Sequence, residues 1–289
     1  MRNLFLTAAI AVLATACAAQ DDMAGDKMAT DDMAPAAMAD DGDVMAGIDY
    51  ATILAGDHRS PENRARDSYR HPAETLAFFG LEPGMTVVEI GPGGGWYTEV
   101  IAPAVGAEGK LYAAHADPAA SDRAAAAVAR FQEKLDADTD NYGSTSLAVF
   151  SGGDLSTPDN AADMVLTFRN VHNWYMGDVA EQSFASFYRA LKPGGVLGVV
   201  EHRLPETADD GLQKTSGYMK RSAVVAMAEA AGFQLVEESE INANPADTAD
   251  YPKGVWTLPP NFAEGEETRA KYAAIGESDR MTLKFVKPS

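Results

Sequence analysis

The run Val87-Val88-Glu89-Ile90-Gly91-Pro92-Gly93-Gly94-Gly95-Trp96-Tyr97-Thr98-Glu99-Val100-Ile101 constrains this chain more than any other. A short β-branched stretch breaks into glycines, and an amphipathic stretch follows. That order predicts a buried strand, a tight turn and a helix. Glycine tolerates positive φ and has no Cβ, so the turn can bend sharply and a ligand can lie against the main chain. A helix starting there presents unpaired N–H groups and the positive end of its dipole, which suits a carboxylate or phosphate. The loop alone does not choose its ligand. Many nucleotide-binding enzymes share it, and a glycine-rich turn with no ligand is the plainer reading.

The same punctuation recurs downstream. Strands are expected at 111–114, 147–150, 164–168, 196–200, 233–241 and 281–286, and helices at 121–135, 179–191 and 221–231. Upstream, Ser60-Pro61-Glu62 has a cap followed by proline in the first turn, and a second helix start falls at His71-Pro72. Strands alternating with helices imply an α/β fold with a parallel, doubly wound, Rossmann-like sheet of seven strands. No long helix separates the last two strands, so the seventh is expected to insert antiparallel.

Glu89, two residues before the first glycine, sharpens the motif. Acid-x-Gly-x-Gly-x-Gly, filled by Glu89, Gly91, Gly93 and Gly95, resembles the first motif of class I S-adenosylmethionine (SAM) methyltransferases. Leu191-Lys192-Pro193-Gly194-Gly195 is similar to a turn common in that family. With 168–174 and Glu201-His202-Arg203, these motifs resemble predicted SAM-dependent methyltransferases of bacteria, over roughly residues 72–288. The resemblance implies SAM as cofactor, with the glycines passing under its methionine part.

Ligands of open parallel sheets bind beyond the carboxyl ends of the strands, which selects the other candidates. His115 stands where the family has a ribose-binding acid. An imidazole also bonds a hydroxyl, and Asp117 is the alternative. Asp154 matches the family's acid for the adenine amino group, with a turn or helix cap as its other reading. Asn170 is grouped with the cofactor contacts. It and Asn173 also read as helix caps. The cluster Asn170-Val171-His172-Asn173-Trp174-Tyr175 occupies the family's acceptor-facing position. His172 is the candidate catalytic base, against a satisfied structural histidine, and Trp174 and Tyr175 would hold a planar acceptor. Glu201 reads as half of a buried ion pair with an arginine. No metal constellation stands out.

Charge and cysteine content bound the partners. A net charge of −20 argues against nucleic acid and anionic lipid surfaces, which need Lys/Arg clusters. The single cysteine, Cys17, excludes internal disulfides and cysteine zinc clusters. Residues 1–17 carry Arg2, an apolar run and then Cys17 and read as a signal peptide; 13–17 resembles a lipoprotein cleavage box, with ordinary signal-peptidase cleavage of a secreted form as the alternative. Residues 18–49 are an Asp/Met/Ala-rich linker too polar to fold, whose five-residue methionine spacing also permits soft copper(I). Residues 50–289 are the folded domain. Arg59, Arg64, Arg66 and Arg70 read as a solvated helix face or as an anion-facing lid. The aromatic and proline-rich connection 242–279 reads as a lid, an acceptor wall or a surface loop packed on itself.

These readings add up to an exported, periplasmic, lipid-anchored SAM-dependent methyltransferase of a small-molecule acceptor. Export places the domain where SAM is scarce. An exported, non-enzymatic ligand-binding domain is therefore the second reading. An NAD-linked oxidoreductase is the third, disfavoured by Glu89 and the seventh strand.

Overall fold

The computed structural model describes Val44, Met45 and residues 47–289. The expected signal segment, Cys17 and the methionine repeat lie outside the described residues. Val44–Met45 pairs antiparallel with Ile48–Asp49, so strand pairing begins inside the stretch expected to be linker.

The central sheet has seven main strands: β1 (Thr86–Ile90), β2 (Lys110–His115), β3 (Thr145–Ser151), β4 (Ala162–Phe168), β5 (Leu191–Leu204), β6 (Gln234–Ser239) and β7 (Arg280–Val286). Their order is β6-β7-β5-β4-β1-β2-β3. Strands β1 to β5 pair in parallel. Strand β7 lies antiparallel between β5 and β6, as the missing crossover helix predicts. Two-residue strands at Asp154–Leu155 and Met219–Lys220 pair with β3 and β5.

The helices used below are α1 (Tyr50–Ala55), α2 (Pro61–Arg64), α3 (Asp67–Arg70), α4 (Pro72–Phe79), α5 (Thr98–Val105), α6 (Asp122–Ala137), α7 (Val171–Met176), α8 (Ala180–Ala190) and α9 (Arg221–Ala230). Period-two alternation in β1 sends Val87 to one apolar layer and Val88 and Ile90 to the other, all of them buried. Leu76 and Phe79 of α4, Val100 and Ile101 of α5 and Phe131 of α6 fill the first layer. Phe184 and Phe187 of α8 and Val224 of α9 fill the second. Each such side chain adds about 1.5–3 kcal/mol when fully buried, and both faces of the sheet are covered.

Local chemistry sets the element ends. Ser60 Oγ accepts the Asn63 N–H at 3.2 Å with Pro61 in the first turn. That helix lasts one turn, however, and α4 begins separately after His71 in a left-handed conformation. Strand β5 is longer at both ends than the expected 196–200, which carries it past Glu201 and His202. Helix α5 starts at Thr98, three residues after the last motif glycine, and the Gly95 N–H closes a turn onto the Pro92 carbonyl at 2.9 Å. The connection 242–279 is pinned rather than free. Asn242 Nδ2 donates to Thr75 Oγ1 and Thr282 Oγ1, and Asp247 accepts from the Tyr218 hydroxyl and the Asp279 N–H.

Candidate active site

A cavity of about 380 Å³ opens at the carboxyl ends of β1, β4 and β5. Its floor is the Gly91–Gly94 loop. Gly91 and Gly93 both have positive φ, 65° and 60°, but for different neighbours. A Cβ on Gly91 would come within 3.0 Å of the Asn170 amide, whereas one on Gly93 or Gly94 would meet nothing within 4 Å. Gly91 therefore lets the loop close on Asn170, and Gly93 and Gly94 leave the main chain bare toward the cavity. Asn170 Nδ2 donates to the Ile90 carbonyl at 2.9 Å and to Thr167 Oγ1, tying the ends of β1 and β4 together. Its side chain makes no helix-cap bond, although it precedes α7.

Glu89 lies beneath the loop rather than in the cavity. Its carboxylate is buried and accepts the Thr98 hydroxyl at 2.5 Å, and burial pushes it up to about 7. Gly95 also faces away, over Phe131 of α6. His115 packs edge-on against the same Phe131, and burial pushes it down to about 4. Among the described residues its buried Nε2 has no hydrogen-bond partner, and the ring lines a separate cavity of about 180 Å³ with Ala116, Val128 and Ala148. Asp154 sits at the sheet edge, exposed, with Arg189 donating to its Oδ1 at 2.6 Å. Of the sequence candidates, the structure brings Gly91, Gly93, Asn170 and His172 to the main cavity. Glu89, Gly95, His115 and Asp154 lie elsewhere.

His172 is only 4% exposed, at the start of α7. Its Nδ1 pairs with Glu201 Oε1 at 2.9 Å, and its backbone N–H donates to Glu201 Oε2 at 3.2 Å. The His202 N–H donates to Glu201 Oε1 at 2.7 Å. A carboxylate surrounded by N–H donors acts as acceptor, so Nδ1 carries a proton, and in the neutral ring the lone pair is on Nε2. Nε2 makes no hydrogen bond among the described residues. Glu201 is thus paired with a histidine, and the arginine partner expected from sequence is not there. His202 Nδ1 meets Ser278 Oγ at 2.5 Å. Burial, then His172, Arg169, Arg280 and Arg70, push His202 well below its ordinary value, so it is neutral at pH 7.

Trp174 corrects another expectation. It is buried among Phe150, Phe184 and Phe187 in the core, and Tyr175 stacks under Lys214 instead of lining the cavity. The aromatic walls come from Trp96, Phe168 and Trp256. Trp256 arrives on the 242–279 connection, which also contributes Glu277 and Ser278.

Comparison with known proteins bears on the same span. Residues 88–199 match the family model of a methyltransferase domain. The match runs from β1 into β5 and includes the glycine loop, Asn170 and His172. No curated protein matches the sequence. Among solved structures, the SAM-dependent methyltransferase from Aquifex aeolicus has a TM-score of 0.53 at 18% identity, over 79% of this chain and 94% of that one. The [4+2]-cyclase SpnF has a TM-score of 0.54 at 19% identity, over 81% and 85%. At such identities the likeness is one of fold, and a cyclase on that fold shows that the fold does not set the reaction.

The wall opposite the glycine loop is cationic. Arg66 Nε donates to Glu277 Oε1 at 2.7 Å, while Arg70 Nε at 3.1 Å and Arg280 Nη1 at 3.2 Å share Oε2. Arg169 Nη1 is 3.7 Å from the same oxygen. Burial raises Glu277, but Arg70 foremost, then Arg280, Arg169 and Arg66, outweigh it and hold the carboxyl at about 2. The four N-terminal arginines thus divide. Arg66 and Arg70 face the cavity, Arg59 is buried against Asp67, and Arg64 donates to carbonyls of α1 and its cap. His172, Glu201 and His202 also offer three ligand atoms within 4.8 Å of one another, a grouping invisible in sequence. The surrounding guanidiniums oppose a divalent cation there.

Proposed function

We propose that this chain is a SAM-dependent methyltransferase acting on a small-molecule acceptor. The observation that carries the reading is that the bare Gly93–Gly94 main chain and His172, held from behind by Glu201, open onto one cavity. The open space above those glycines fits the methionine end of SAM, which Gly91, Gly93 and Asn170 would hold. The unpartnered Nε2 of His115 suits a hydroxyl, although it lines a neighbouring cavity.

When bound, SAM supplies a methyl group already activated on a sulfonium. The chain's own residues do the rest. Trp96, Phe168 and Trp256 exclude water and fix the acceptor's approach, and alignment is the larger part of the acceleration. His172 Nε2 takes the acceptor's proton as the acceptor attacks, while Nδ1–H to Glu201 holds the ring and stabilises the imidazolium that forms.

Arg2, the apolar run and Cys17 support export and lipid attachment of the domain through the 18–49 linker. The exported, non-enzymatic binding domain stays as a second reading because His115 and Asp154 lie outside the main cavity. The test is formation of demethylated product from SAM across a panel of small acceptors. Turnover that disappears in Gly93→Val and falls in His172→Ala is expected. Tight SAM binding with no turnover on any acceptor would favour the binding domain.

A further inference from the structure

Charge is distributed unevenly in this protein. The whole chain carries −20, yet four arginines converge on one side of the cavity. Arg70 and Arg280 are almost fully buried, and Arg66 and Arg169 are about one-quarter exposed toward the opening. The anions facing them are Glu277, shared by all four, and Glu201, whose oxygens are occupied by His172 and His202. Two carboxylates against four guanidiniums leave the wall positive. His202 adds no compensating charge. Burial, then the Arg169 charge, push Arg70 down to about 9, still cationic at neutral pH.

A purely structural cluster would be balanced, because uncompensated buried charge is destabilising. Here the surplus faces the cavity. Among the described residues, the Arg169 guanidinium makes no hydrogen bond, only the 3.7 Å approach to Glu277. Its backbone is held at φ 63°, an uncommon conformation for a non-glycine residue, immediately after β4 and three residues before His172.

The cofactor does not answer this charge. At neutral pH the methionine end of SAM carries both a carboxylate and an ammonium, and the sulfonium leaves the molecule with a net positive charge. Binding it makes the cavity more positive. The cofactor's carboxylate can pair with one guanidinium, but only the other ligand can lower the net charge of the cavity.

We propose that the acceptor is an oxyanion-bearing small molecule, a phosphate monoester or a carboxylate, whose anionic group pairs with Arg169 and Arg66 while its nucleophilic atom faces His172. This rests on the methyltransferase reading and names its substrate class. Both anions match the planar guanidinium fork. Trp256 and Val255, on the same rim, would cover the less polar part of the molecule.

Thermal unfolding and calorimetry of the protein test the subsite, with inorganic phosphate and acetate as probes and chloride at matched ionic strength as control. Phosphate or acetate should raise the Tm, both with and without the demethylated product of SAM present. Whichever anion gives the larger shift identifies the source. Arg169→Gln and Arg66→Gln should each weaken anion binding at least tenfold. Arg221→Gln, on the surface beside Glu238, should leave it unchanged. No shift with either anion in the wild type would overturn the proposal. So would competition between phosphate and the demethylated product, with Arg169→Gln weakening SAM but not decarboxylated SAM. That pattern would give the arginines to the cofactor's own carboxylate. Arginine-dependent anion binding without SAM binding would keep the anion subsite and remove the methyltransferase reading.

Discussion

Glu277→Gln should be the most destabilising polar substitution at this site. Glu277 is 5% exposed, and it serves Arg70 and Arg280, which are 2% and 3% exposed. Removing its charge strands two buried cations and frees two more to repel them. Breaking a buried pair in this way costs about 3–5 kcal/mol. A second route gives a similar magnitude. The carboxyl is held at about 2 against an ordinary 4.5, and at ~1.4 kcal/mol per tenfold change in proton affinity that is roughly 3 kcal/mol. Because the folded value is depressed, this stability is fully present above pH 4.5 and is lost as the pH falls from 4.5 toward 2. For a domain of this size, about 2–4 °C per kcal/mol predicts a Tm fall of roughly 10 °C at pH 7. Thermal unfolding at pH 7, with urea unfolding from pH 7 to pH 3, of wild type and variant is the assay. The wild type should lose stability in the acid window, and the variant should start lower and lose less. A variant within about 2 °C of wild type at pH 7 would refute the claim that Glu277 balances this wall.

Glu89 should act in the opposite direction. Its folded value is raised to about 7, so the wild type loses roughly 3 kcal/mol as pH rises from 4.5 to 7. Glu89→Gln should flatten that window in denaturant titrations and be at least as stable as wild type at pH 8. Gly93→Val should cost about 1–2 kcal/mol from its positive φ, leave far-UV circular dichroism unchanged and abolish SAM affinity. His172→Ala should lower turnover by ~10²–10⁴-fold. Glu201→Gln should lower it less, and neither variant should change the dissociation constant for SAM. Unaltered turnover in His172→Ala would make that residue structural. Cys17→Ser should move the protein from the membrane to the soluble fraction on cell fractionation, and intact uncleaved protein in the cytosol would contradict export.

The sheet was legible because its signals are local. Glycine ends β1 and α4, proline starts α2 and α4, and apolar runs of four to seven residues mark strands whose two faces are covered. The antiparallel seventh strand followed from a missing crossover helix. The site was legible only where it is sequential, as in Gly91–Gly94 and Asn170–His172. The His172–Glu201 pair spans 29 positions and exists because β4 and β5 lie side by side, with Phe168 opposite Val200. The arginine wall spans more than 200 positions, from Arg66 and Arg70 to Glu277. The sequence shows those arginines and shows Glu201, and it reads the first as a helix face or lid and the second as paired with an unspecified arginine. The fold gives the arginines to Glu277 and leaves Glu201 to the histidine. Trp174 was misplaced because it stands two residues after His172, about 200° around a short helix, and so meets Phe187 rather than the cavity.

Calorimetric titration of the protein with SAM, its demethylated product and NAD is the most direct test of the central claim. SAM and its product should both bind at one site, Gly93→Val should abolish both, and NAD should give no heat of binding. Absence of binding by SAM and its product at millimolar concentration, or binding of NAD alone, would contradict the methyltransferase account.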